Sequence, residues 1–269
     1  MPAIQLARLK KQVAELADYF HDPSALLRAL FELLDNYADR TRRHGQAGEP
    51  PPLRNAHNVP APVLRQIIKE LSSLAANYPK SGLELCDSLW EQAYLEENLL
   101  AAHLLGSIGL EHTELILDRI QRWLATKPGE QIVDTILAVS LATIRRTAPE
   151  TVVTVIEDWI DEPDPYYKQV GLKAMLTLVK EPDFADLAVI FRLVNPMIRS
   201  NTVETKTELL VVLQALARRT PKETAYNLRN LLESSENSAA PWYIRQTLKY
   251  YPAQIQMKLH SALHAERDR

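Results

Sequence analysis

Two pairs of carboxylates are the residues of this chain whose type and spacing come nearest to chemistry. Glu130 and Asp134 stand four apart just after Pro128, so a helix there carries both on one face. An acid near a helix start, such as Glu130, also offsets the helix dipole. Asp134 lies between Val133 and Ile136, well into that helix, where an acid needs water or a partner. The second pair is Glu96-Glu97, within Leu-Trp-Glu-Gln-Ala-Tyr-Leu-Glu-Glu-Asn-Leu-Leu-Ala-Ala-His-Leu-Leu-Gly at residues 89–106. Carboxylates in such places do acid–base or electrostatic work. Other chemistry is missing. There is no Gly-rich phosphate loop, no His-Glu-x-x-His and no Cys/His metal spacing. His260 and His264 are four apart but near the C-terminus without a third ligand, and read as surface histidines. Cys86, flanked by Leu85 and Leu89, reads as a core thiol. No metal and no cofactor are expected.

The elements that must position these acids are helices. Leu6, Leu9, Val13, Leu16, Ala17 and Phe20 recur at steps of three and four, which builds one apolar stripe on a helix. Asp22-Pro23 restarts the chain, and Leu26, Leu27, Leu30, Phe31 and Leu34 make a second stripe. Val63, Leu64, Ile67, Ile68, Leu71 and Leu74 make a third. No stretch alternates apolar and polar residues, and no Asn-Gly or Asp-Gly hairpin turn occurs. The 269 residues include only 7 Gly, too few for a sheet protein rich in tight turns. Pro128, Pro149, Pro163, Pro165, Pro182, Pro196, Pro221 and Pro241 divide the second half into single helices. Two such helices make a unit of roughly 35–40 residues, close to helical-repeat periods.

This gives an all-α chain in three parts: an N-terminal helical hairpin over residues 1–44, a Pro/Gly loop over 45–60, and a helical array over 61–269. The loop holds Gly45, Gly48 and three consecutive prolines, so it is not helical. A single cysteine excludes a disulfide framework. The N-terminus lacks a signal-peptide pattern and no apolar run reaches the ~18 residues of a membrane span, so a cytoplasmic protein is expected.

Charge is uneven. Residues 81–164 carry 16 acidic and 5 basic residues, a net of −11, while residues 192–269 carry 12 basic and 7 acidic, a net of +5. Charge alone reads as ordinary solvated helix faces, and a polyanion would find a basic face only in the C-terminal third, at Arg192, Arg199, Lys206, Arg218, Arg219, Lys222, Arg229, Arg245 and Lys249.

The segment Leu85–Gly106 and the preceding Val59-Pro60-Ala61-Pro62-Val63-Leu64-Arg65 resemble the AlkD-like family of DNA alkylation repair glycosylases. The resemblance covers about residues 55–265 and is specific around 59–106. It implies a HEAT-like α-α superhelix, a solenoid of antiparallel helix pairs with a concave face. It also implies binding of duplex DNA and metal-free release of cationic alkylated purines. Tryptophans would face the lesion, and a carboxylate would oppose the charge that develops on the sugar. Asp134 matches that carboxylate. The tryptophan positions fall on Gly129 and Glu130, a further aromatic on Tyr166 beside Tyr167, and the arginine positions on Gln169 and Gln214. The resemblance therefore implies a DNA-binding protein whose glycosylase activity is weak or lost. The alternative reading from the helical array is a scaffold that binds a protein partner.

Overall fold

The computed structural model describes residues 5–39, 55–200, 202–234 and 239–267. Every extended element among them is helical, as expected, and no strand is formed. The first eight α-helices are α1 (Leu6–Ala17), α2 (Pro23–Tyr37), α3 (Ala61–Asn77), α4 (Pro79–Trp90), α5 (Leu95–Leu105), α6 (Thr113–Ala125), α7 (Glu130–Thr135) and α8 (Ala142–Thr147). Seven more follow: α9 (Pro149–Asp161), α10 (Pro165–Lys180), α11 (Leu187–Ser200), α12 (Lys206–Arg219), α13 (Pro221–Ser234), α14 (Ala240–Thr247) and α15 (Ala253–Arg267). The chain divides into two compact units, Met1–Ile144 and Arg145–Arg269. Of the loop expected over 45–60, residues 45–54 lie outside the described residues, as do 40–44 of the expected hairpin; 55–60 are not helical.

Prolines start many of these helices, because a first-turn residue has no intrahelical use for an N–H. Pro23, Pro62, Pro79, Pro149, Pro165 and Pro241 all sit in first turns. Asp22 caps α2 by accepting the Ala25 N–H at 3.0 Å, and Asp164 caps α10 by accepting the Tyr166 N–H at 3.0 Å. Pro196 is a correction. It was expected to divide two helices, but α11 runs through it. Pro196 is exposed, so water can meet the carbonyl one turn back that the proline ring leaves without a donor.

Consecutive helices pack against each other within each unit: α3 on α4 and α4 on α5 in the first, α9 on α10 and α12 on α13 in the second. The first unit is filled by Leu9, Leu26, Leu30, Ile67, Leu71 and Leu89, all buried. There Trp90 and Trp123 stack with ring centroids 4.4 Å apart and planes 6° from parallel. Trp123 and Trp159 are both core residues, as their apolar neighbours implied, and Cys86 is buried. Burial pushes its thiol far above the ordinary cysteine range, so it is inert. His260 and His264 are exposed on α15. No described helix is long and apolar enough to cross a membrane.

One element departs from regular geometry. After Thr135 the chain runs into a π-helical segment, Ile136–Ser140, before α8 begins. Its wider turn is seen in the Leu141 N–H, which donates to the Ile136 carbonyl at 3.3 Å. The segment is held against α5 at backbone distance. Ser140 Oγ donates to the Ala102 carbonyl at 2.7 Å. A Cβ on Gly106 would lie 2.5 Å from the Val139 carbonyl oxygen, so only glycine permits this approach.

Candidate functional site

The two carboxylate pairs go to opposite environments. Glu96 and Glu97 are buried at the start of α5. Residues 57–59 are extended or turned, and their N–H groups have no helical partner. The Glu96 carboxylate accepts all three, from His57 at 3.0 Å, Asn58 at 2.7 Å and Val59 at 3.4 Å. Glu97 Oε1 pairs with His57 Nε2 at 3.2 Å. Burial pushes the Glu97 carboxyl up, with His57 opposing. The His57 ring stacks on Tyr94 at 4.4 Å and meets the edge of Phe31 at 5.1 Å. Asn98 Nδ2 donates to the Trp90 carbonyl at 3.0 Å. The stretch that carries the resemblance is therefore a latch fastening residues 55–60 to α5.

Glu130 and Asp134 instead stand exposed on α7. Their wall is one side of an open groove of about 500 Å³, lined also by His103, Thr135, Ala138 and Val139. His103 comes from α5, and burial holds its pKa below the ordinary histidine value. The groove thus collects an imidazole and two carboxylates on elements locked together through Ala102–Ser140 and Gly106–Val139. Among the described residues no group of three His, Cys, Asp or Glu is placed to hold a metal ion. Asp134 meets solvent at the groove. Gly129 opens onto free space, with nothing within 4 Å of where a Cβ would stand. His103 could not be found from local spacing, since α6 separates it from Glu130 and Asp134 along the chain.

The second unit places the basic residues unequally. Lys206 on α12 lies 4.0 Å from the centre of the Trp242 ring on α14. Arg218, at the other end of α12, lies 4.0 Å from the Tyr250 ring, and Lys249 lies 5.1 Å from the same ring. Arg245, Arg199 and Lys222 are exposed, and Lys222 borders a different groove with Phe191 and Tyr226. Arg192 is paired with Glu157, and Arg229 with Glu233 at 3.5 Å. Arg219 is turned to the backbone. It donates to the carbonyls of Val179 at 2.6 Å, Pro182 at 3.1 Å and also Phe184. Tyr166 and Tyr167 meet edge to face at 5.3 Å, and burial pushes the Tyr166 hydroxyl up to about 12. Gln169 donates to the Glu204 carbonyl at 2.5 Å. Lys206, Arg218 and Lys249 therefore lie by two rings, while Arg192 and Arg229 are in ion pairs and Arg219 is taken up by backbone carbonyls. Trp242 and Tyr250 as ring supports were not legible from charge alone.

Helix pairs that bury their apolar stripes and leave carboxylates and cations at the surface define an all-α helical array. The chain matches the model of the DNA alkylation repair enzyme family over residues 31–251, and it belongs to that family. Its function is thereby tied to DNA repair. No curated protein matches the chain.

Proposed function

We propose that this protein binds duplex DNA through the ring-backed cations of its second unit, and that the groove of its first unit releases cationic alkylpurines slowly. The observation that carries the binding is that Lys206 lies over Trp242 at one end of α12, and Arg218 and Lys249 lie by Tyr250 at the other. A cation lying on an aromatic face keeps its charge and is held in place at little entropic cost. Such a group can meet a phosphate without first being ordered. Phosphate contacts by Lys and Arg release condensed counterions, so affinity falls with salt in proportion to the number of contacts.

Slow base release follows from what the groove has and lacks. Asp134 offers a fixed negative charge to the cation that develops on the sugar, which lowers the barrier electrostatically. Glu130 attracts a positively charged base. Neither grips it as an aromatic wall would, and positioning commonly contributes several kcal/mol. Glu130 also brings a second negative charge toward the DNA phosphates.

The test is a titration of fluorescent duplex DNA at several salt concentrations. The wild-type protein should bind at low salt, with log affinity falling linearly in log salt. Lys206→Glu, Arg218→Glu and Lys249→Glu together should weaken binding and flatten the slope by about three units, roughly one per contact. No binding at low salt, or a slope unchanged in the triple variant, overturns this reading.

A further inference from the structure

We propose that His103 is the general base of the groove, taking a proton from the water that attacks the sugar as an alkylated base departs. This rests on reading the groove around Asp134 as the place of base release. The step balances without an added reagent. The bond between the sugar C1′ and purine N9 breaks, and its electron pair leaves with the cationic base, which departs neutral. Water oxygen forms the new bond to C1′, one water proton moves to the His103 ring nitrogen, and that proton then passes to solvent. The products are the free base and an abasic sugar bearing a hydroxyl.

The geometry assigns this work to the histidine and not to the acids. Asp134 opposes the sugar cation only while it is charged, and a separate acceptor for the water proton leaves that charge in place until the new bond to C1′ is complete. Glu130 sits at the exposed first position of α7. His103 stands on the other wall, half-buried, and the same groove is lined by all three. Its backbone is the most tightly fixed stretch of that wall. The residue before it, Ala102, accepts the Ser140 hydroxyl at 2.7 Å. One turn on, Gly106 packs against the Val139 backbone, and Ser107 Oγ donates to the His103 carbonyl at 3.1 Å. The backbone that carries the imidazole is thus held at a set position beside the groove.

The charged groups that face His103 across the groove are Glu130 and Asp134 from α7. The π-helical segment contributes no ionisable residue, and no ionisable side chain of α3 or α4 lines the groove. Burial keeps the ring on the neutral side near physiological pH, which is the form that can accept a proton.

The experiment is single-turnover release of N7-methylguanine from duplex DNA, from about pH 5 to about pH 9. It compares the wild type with Asp134→Asn, His103→Gln and His103→Ala. Release by the wild type should fall on the acid side as the imidazole takes up a proton. His103→Gln should be about 100-fold slower near neutrality and should lose that acid limb. Added imidazole should restore release to His103→Ala, which a merely structural role would not allow. If release depends on Asp134 but His103→Gln keeps the wild-type rate and limb, this inference alone falls. If the wild type releases nothing, or Asp134→Asn releases as well as it does, the reading of the groove falls and the role of His103 with it.

Discussion

At the start of α5, Glu96 and Glu97 are 5% and 3% exposed, whereas on α7 Glu130 and Asp134 stand in solvent. All four are helical carboxylates in the same unit, three of them in first turns. What separates them is burial. Residues 57–59 bring three backbone N–H groups and an imidazole to the first pair. Those groups would be orphaned inside the protein without an acceptor, and the acids would be costly to bury without the donors. The second pair is exposed at an open groove, where water reaches both carboxylates. A carboxylate pair in a sequence is thus structural or chemical according to what the rest of the chain places opposite it.

Three substitutions would break or sharpen this contrast. The largest effect is expected for Glu96→Ala, which strips the acceptor from three N–H groups of residues 57–59. Chemical denaturation should show a loss of about 3 kcal/mol. A loss below about 1 kcal/mol would mean that water replaces the carboxylate. Glu97→Gln should change the pH dependence of stability. The folded-state pKa of Glu97 is raised by burial, so its stabilising contribution is fully present below the ordinary carboxylate pKa. That contribution is lost as pH rises through the folded value. The variant, which cannot ionise there, should therefore gain on the wild type as pH increases through that range. Parallel stability curves would show that the His57 pairing cancels the burial. The smallest stability effect belongs to Asp134→Asn, which should leave the unfolding midpoint within about 0.5 kcal/mol of wild type while abolishing base release. A large destabilisation would place Asp134 with the structural pair.

Much of the fold was legible. The stripes of Leu26, Leu30 and Leu34, and of Val63, Ile67 and Leu71, became the buried faces of α2 and α3, because spacing alone decides which side of a helix is apolar. Asp22-Pro23 marked a helix start because capping is local. Pro196 misled because a proline inside a helix removes one hydrogen bond and crowds the carbonyl one turn back, a cost that need not end the helix. The candidate site was half legible. Asp134 could be singled out by its position, but His103 joins it through packing between helices distant in sequence. Arg218 and Arg219 are neighbours that count equally in any charge sum. One lies over the Tyr250 ring and the other is spent on backbone carbonyls at the end of α10 and just beyond it. No local signal separates them.

The π-helical segment Ile136–Ser140 has a consequence for how this chain can be compared with its kin. A π turn amounts to an α-helix with one inserted residue. Deleting a residue there would let the hydrogen bonds close as an ordinary helix, an event cheap enough for evolution to repeat. The π turn takes up the extra residue in its own wider circuit, so losing it would leave the helix faces on either side pointing as before. Glu130 and Asp134 would keep their places, and the change would fall on the turn that brings Ser140 to Ala102 and Val139 to Gly106. A one-residue gap at this point in an alignment would therefore mark a change in how α5 is held against this segment.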